Sequence, residues 1–161
     1  MSKLENIPFQ VVALPVDQFS HLFSLSDTEL LELGARRCIV DTRPGYPCRV
    51  SLTDAQLGER VILVPFTHHE TASPYQASGP IFVREQAEQA LPEVNEVPEM
   101  IRRRLLSIRA YDSAGMMVGS EVIDGSALET QIQQFFASAA VEYLHVHNAR
   151  PGCFNCRVDR A

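Results

Sequence analysis

LLSIRAYDSAGMMVGSEVI, residues 105–123, is the stretch of sequence that decides the fold class. Residues 105–111 and residues 116–123 are both rich in β-branched, aromatic and long apolar side chains, which favour strands. Only the turn sequence Asp112-Ser113-Ala114-Gly115 separates them. The pattern therefore predicts a β-hairpin with a short loop, and a hairpin requires antiparallel pairing.

The rest of the chain extends this pattern with further short strands and a few helices. Strands are predicted over residues 9–14, 37–42, 60–66, 81–84, 143–147 and 154–158, the last as an edge strand. Helices are predicted over roughly 26–33 and 126–138, with a further short helix near 16–22. Because hairpins outnumber βαβ units, the predicted fold class is α+β, with a mainly antiparallel sheet of about seven short strands and two or three helices. We expect a single domain over residues 1–161.

Two local signals support the predicted helices. Ser26 precedes Glu29 by three residues, which is the spacing of a capping box. Leu128, Ile132 and Phe136 are spaced at i, i+4 and i+8, and Phe135 falls at i+7, so the four form one apolar helix face. Between residues 67 and 79 the sequence is polar, and we predict a long solvated loop that contains His68-His69-Glu70.

Composition excludes several classes of protein. The chain has 20 acidic and 14 basic residues, and its formal charge of −6 disfavours binding to nucleic acid. No apolar run is long enough to span a membrane. The first ten residues, MSKLENIPFQ, contain no apolar segment of the secretory type, so we expect a cytoplasmic location with reduced cysteines.

Histidine and cysteine residues near the C-terminus form a candidate metal site. His145 and His147 are two residues apart in a predicted strand, so both imidazoles should lie on one face. Cys153 and Cys156 follow in a Cys-x-x-Cys spacing, and Cys48 is a further candidate ligand. Zinc is the metal that suits such a set, and otherwise we expect no cofactor. In the alternative interpretation, the cysteines are small buried hydrophobic residues and the histidines belong to the polar face of a strand.

Arginine and histidine side chains form a second candidate, a site for a small anion. Its residues are Arg49, Arg84, His145, His147 and Arg157. Arginine binds carboxylates and phosphates through two parallel hydrogen bonds, so convergence of these residues would create a cationic pocket. Salt bridges to nearby acidic residues would instead neutralise the arginines. A third interpretation makes Cys48 a nucleophile activated by Arg49 and a histidine base.

Several short stretches between residues 47 and 160, most of the chain, carry a family resemblance. They are PCRVSL at 47–52, GERV at 58–61, SPY at 73–75, SGPIFVRE at 78–85, HVH at 145–147 and CFNCRVDR at 153–160. In this order they resemble a bacterial protein family catalogued as domain of unknown function 1203. The resemblance implies no activity. It also implies a second cysteine in some relatives at the position of Ser51, and this chain lacks it.

Three functions remain open at this level. The first is a cytosolic domain that binds a small anionic molecule. The second is a structural or interaction domain, with another protein or a second copy of the chain as its partner. The third is a zinc-dependent or thiol-dependent enzyme that uses His145, His147, Cys153 and Cys156. Neither nucleic acid nor a membrane is an expected partner.

Overall fold

A computed structural model of the chain describes residues 6–161, so the first five residues of the N-terminal stretch MSKLENIPFQ lie outside the described part. The described residues form eight strands in two antiparallel sheets, together with three short α-helices. The strands are β1 (Phe9–Val12), β2 (Arg36–Ile39), β3 (Arg60–His69), β4 (Ala77–Arg84), β5 (Leu105–Tyr111), β6 (Met117–Asp124), β7 (Tyr143–Asn148) and β8 (Phe154–Arg160). The helices are α1 (Asp27–Glu32), α2 (Glu99–Arg102) and α3 (Leu128–Phe136). The α+β class is thereby confirmed, with two sheets where one was predicted.

The larger sheet has the strand order β1-β8-β7-β5-β6. Its β5–β6 hairpin is the one predicted from residues 105–123, and the Asp112 carboxylate accepts hydrogen bonds from the backbone N–H groups of Ala114 and Met116 in the turn. β8 lies between β1 and β7, so the prediction of an edge strand was wrong. Strand β1, near the N-terminal end of the chain, pairs with β8 and occupies the edge of the sheet. Local sequence patterns do not indicate this pairing.

One face of the larger sheet carries the main hydrophobic core. Helix α3 packs Leu128, Ile132 and Phe136 against this face, as its spacing predicted. The sheet contributes alternate residues of its central strands, including Leu144 and Val146 of β7. The residues of β7 that alternate with these two therefore point to the opposite face of the sheet, away from this core.

The smaller sheet has the strand order β2-β3-β4 and packs against its own apolar cluster. Helix α1 contributes Leu30 to that cluster. The predicted capping box is present: the Ser26 hydroxyl accepts from the Glu29 N–H at 3.1 Å, and the Glu29 carboxylate accepts from the Ser26 N–H at 3.2 Å. A membrane-crossing helix would have to be longer and more apolar than any helix within residues 6–161.

The predicted loop over 67–79 was wrong at both ends. β3 continues to His69 and β4 begins at Ala77, so only residues 70–76 connect the two strands. Pairing runs through Pro65 opposite Pro80 and on to His69 opposite Ala77, with an irregularity in register between Phe66 and His69. The histidines of this stretch are thus held in a strand, not in a solvated loop.

Candidate functional site

The candidate site begins with two histidines on the inner strand β7. His145 and His147 are both buried, at 2% and 1% exposure. Leu144 and Val146 point into the main core, so the two imidazoles lie together on the opposite face, as the spacing predicted. That face is also covered, because every residue of β7 is buried.

The end of β3 lies against this histidine face. The His68 ring centroid lies 4.9 Å from that of His147, and the His69 centroid lies 5.0 Å from that of His145. In a regular strand, neighbouring side chains point to opposite faces. The bulge between Phe66 and His69 removes this alternation, so both histidines contact the larger sheet. The expectation that His68 and His69 are solvated in a loop was therefore wrong.

Three of these imidazoles converge. His68, His145 and His147 each offer one ring nitrogen, and these nitrogens all lie within 4.8 Å of one another. In each residue one ring nitrogen is buried without a hydrogen-bond partner: Nδ1 of His68, Nδ1 of His145 and Nε2 of His147. Buried polar atoms are nearly always hydrogen-bonded in proteins, so three unpartnered nitrogens in one cluster require an explanation. Three ring nitrogens within this distance make the three histidines a candidate ligand set for one metal ion.

Backbone contacts orient one of the three ligands. His147 Nδ1 lies 3.0 Å from the carbonyl oxygen of Gly152, so Nδ1–H donates and the lone pair is left on Nε2. An outer hydrogen bond of this kind is a regular feature of metal-binding histidines. The Phe154 ring stacks on His68, with centroids 5.3 Å apart and planes 5° from parallel. This apolar wall restricts the orientation of the His68 ring.

Burial keeps the three imidazoles neutral. It is the main reason why the pKa of His68 and that of His147 fall to about 4, and why the pKa of His145 falls to about 2. A metal must compete with a proton for an imidazole lone pair. At neutral pH that competition is absent here, so the lone pairs are available.

His69 is in contact with the cluster but has a different role. Its Nδ1 donates to the Tyr75 carbonyl at 2.8 Å, and its Nε2 accepts from the Tyr143 hydroxyl at 2.6 Å. Both ring nitrogens of His69 are therefore occupied, whereas His68, His145 and His147 each have one buried ring nitrogen without a partner. Because Tyr143 belongs to β7, the pair fastens the end of β3 to the larger sheet.

Two arginines flank the cluster on the same sheet face. His145 lies opposite Arg109 of β5 and opposite Arg157 of β8, and directly opposed residues share a face. The Arg157 guanidinium lies 4.1 Å from the Tyr143 ring centroid and is paired with Asp159. Salt bridges among the described residues do not include Arg109. The surroundings of the histidines are therefore cationic.

The structure separates the predicted cysteine ligands from the histidines. Cys156 is buried in the main core, where burial raises the pKa of its thiol to about 12. Cys48 is buried beneath the smaller sheet, and its sulfur accepts from the N–H of Ser51 and of Arg84. Cys153 accepts from the guanidinium of Arg49 at 3.0 Å. Within residues 6–161, the group with metal-ligand spacing consists of histidines alone.

The predicted anion-site arginines are likewise dispersed. Arg84 is paired with Glu59 across the surface of the smaller sheet, and that carboxylate neutralises the charge of the guanidinium. Arg49 is buried, at 1% exposure, and donates to the carbonyl oxygens of Phe154 and Pro47. Arg157 is the member of the set that lies beside His145.

Two residues of the site are only weakly indicated by the sequence. The polar surroundings of His68 favour a loop and hide the continuation of β3. For Arg109, the alternation of residues 105–111 indicates only a place on the polar face of a predicted strand, together with Ser107 and Tyr111. That alternation was the available signal, but it does not say which strand lies opposite.

Comparison with known proteins gives one match. The family model described as "Protein of unknown function (DUF1203)" matches residues 45–160, a range that contains all three convergent histidines. No curated protein and no solved structure matches the chain. The match covers most of the sequence and agrees with the resemblance seen in its short phrases. The chain therefore belongs to the protein family of unknown function DUF1203.

Proposed function

We propose that the protein binds a divalent transition metal, with zinc as the preferred ion, through His68, His145 and His147. The observation that carries this proposal is the convergence of three histidines, each of which offers a ring nitrogen within 4.8 Å of the others. Each of the three also has one buried ring nitrogen without a hydrogen-bond partner. Imidazole nitrogen is a preferred ligand of zinc, copper, iron and nickel. The neutral state of the three rings and the outer hydrogen bond to His147 support the same proposal.

Three protein ligands leave one position of a tetrahedral metal open. Zinc sites with three protein ligands are typical of catalysis, whereas structural zinc sites have four. The three imidazoles are neutral, and Arg109 and Arg157 lie beside His145. A metal at this position would keep its full positive charge, so we expect its fourth ligand to be an anion or a metal-bound hydroxide. In this form the proposal combines the metal and the anion hypotheses at one site.

The experiment is metal analysis combined with titration. The purified protein is stripped with EDTA, dialysed free of it and titrated with ZnCl₂ by isothermal calorimetry. We expect one zinc per chain. The variants His68→Ala and His147→Ala should each weaken binding by at least tenfold, because two histidines alone hold zinc poorly.

Two matched histidine variants serve as controls. His69→Gln removes an imidazole that contacts the cluster but has both nitrogens occupied, and His21→Ala removes an exposed one. Both should retain one zinc per chain. Equal loss in His69→Gln and His68→Ala, or the absence of zinc binding in the wild-type protein, would contradict the proposal.

Cobalt substitution tests the open position. Three-histidine cobalt(II) with a solvent ligand absorbs in the visible range, and an added anion such as azide should change that spectrum. Arg109→Gln should weaken the effect of azide without abolishing cobalt binding. A spectrum that is unaffected by azide would contradict an open, anion-accepting position.

A further inference from the structure

A second feature, formed by other residues than the histidine cluster, is a cleft of about 660 Å³. It lies between the turn that contains Pro44 and Pro47, the beginning of β5 and the turn between β7 and β8. Its apolar lining comes from Phe82, Leu105 and the prolines. The volume falls in the range of sites for small organic molecules.

The buried end of the cleft contains a guanidinium without a carboxylate partner. Arg49 lines the cleft and is 1% exposed. It uses three N–H groups, which donate to the carbonyl oxygens of Phe154 and Pro47 and to the sulfur of Cys153. A guanidinium has five N–H groups, so two remain. Among the described residues, no carboxylate lies within salt-bridge distance of Arg49.

A buried charge is costly unless an opposite charge accompanies it. Carbonyl oxygens and a sulfur satisfy hydrogen bonds of Arg49 but do not supply the full negative charge of a carboxylate. This leaves a positive potential at the inner end of the cleft, in a region of low dielectric constant where it acts strongly.

The outer rim of the cleft adds a second cation. Arg150 is an exposed residue of the turn between β7 and β8, and it takes part in no salt bridge within residues 6–161. Arg103 and Arg104 also line the cleft but are paired with Glu99 and Asp54. Asp124 is the acidic residue of the lining, and its Oδ1 already accepts two hydrogen bonds from Ser126. The cleft is therefore cationic although the whole chain is acidic.

We infer that this cleft is a binding site for a small organic anion, a carboxylate or a phosphate monoester with an apolar body. The anionic group would be held between Arg49 and Arg150. The apolar body would lie against Phe82, Leu105 and Pro151. This inference does not depend on the metal site, because none of the three histidines lines the cleft.

Calorimetric titration with three matched probes tests the inference. The probes are phenyl phosphate, benzoate and benzyl alcohol, which share an aromatic body and differ in charge. The protein is stripped of metal and dialysed free of chelator, so that an anion cannot bind through zinc. We expect at least one of the two anions to bind tenfold or more tightly than benzyl alcohol, and the tighter of the two identifies the preferred anionic group.

Two arginine variants locate the binding. Arg150→Gln should weaken binding of the preferred anion by about tenfold, which corresponds to about 1.4 kcal/mol. Arg36→Gln removes the same charge from an exposed position of β2 outside the cleft, and should change binding less than twofold. Anions that bind no better than benzyl alcohol, or equal effects of the two variants, would overturn the inference.

Discussion

The imidazole of His68, from the smaller sheet, lies edge-on to that of His147, from the larger sheet, with ring centroids 4.9 Å apart and planes at 81°. The two residues are 79 positions apart in the sequence (147 − 68) and belong to different sheets. A ligand shared by His68 and His147 would therefore join the two sheets. Such a ligand should therefore affect the free energy of unfolding as well as the chemistry of the site.

Zinc should stabilise the folded protein measurably. A ligand at 100 times its dissociation constant adds about 2.7 kcal/mol to the free energy of unfolding. For a chain of this size, this corresponds to a rise in melting temperature of about 5–10 °C. Differential scanning fluorimetry of the metal-free protein with and without ZnCl₂ measures the rise. His68→Ala, which weakens zinc binding at least tenfold, should remove half of the rise or more, and His21→Ala should preserve it. An equal rise in both variants would mean that zinc binds elsewhere.

Acid should destabilise the metal-free protein through the buried histidines. Burial lowers the pKa of His145 from 6.5 to about 2, so below pH about 6.5 the unfolded chain binds a proton that the folded chain does not. The free energy of unfolding therefore falls as the pH drops, by up to about 1.4 kcal/mol per pH unit from this residue. Urea denaturation at pH 7 and pH 5 measures the loss.

The variant His145→Gln isolates that contribution. Its loss of stability between pH 7 and pH 5 should be smaller than that of the wild-type protein by about 2 kcal/mol. His21→Gln, at an exposed position, should lose as much stability as the wild type. If the His145→Gln variant showed the wild-type pH dependence, the imidazole would not be buried in its neutral form.

Thiol reactivity should divide the four free cysteines into two pairs. Cys38 and Cys153 are partly exposed, while Cys48 and Cys156 are buried. With Ellman's reagent we expect two fast thiols in the native protein and four after unfolding in guanidinium chloride, because the reagent cannot reach a buried thiol. For Cys156, burial also raises the pKa of the thiol to about 12, so little thiolate forms. Cys38→Ala should halve the fast phase and Cys156→Ala should leave it unchanged.

Zinc gives this thiol assay a second use. If the metal is bound by histidines, saturating zinc leaves the fast phase unaltered. If Cys153 were a ligand, zinc would protect it and remove half of that phase. The assay therefore separates the histidine site from the cysteine-containing site that the sequence suggested.

The main core should be sensitive to a cavity at β7. Leu144 is fully buried against the core helices, whereas Leu91 is 84% exposed. Leu144→Ala should lower the free energy of unfolding by about 2–5 kcal/mol, because it removes buried methyl groups and leaves a void. Leu91→Ala should change it by less than about 0.5 kcal/mol. Urea denaturation compares the two variants, and similar values for both would contradict the described packing.

Much of the local structure could be predicted from short-range patterns. Four features follow from patterns within about twenty residues: the β5–β6 hairpin, the capping box of α1, the apolar face of α3 and the common face of His145 and His147. Such features depend on the period of the helix or strand and on turn chemistry, which neighbouring residues set. The α+β class followed from them.

The candidate site depends on contacts between residues far apart in the sequence, which the period of a helix or strand does not predict. His68 reaches His145 and His147 only because a bulge alters the direction of β3 and because the end of β3 lies against β7 of the larger sheet. Arg49 reaches Phe154 and Cys153 across more than a hundred residues. Local sequence determined the elements and which side chains share a face. Tertiary packing decided which faces meet. The burial of apolar surface is non-directional, so the local sequence pattern does not show which faces will be in contact.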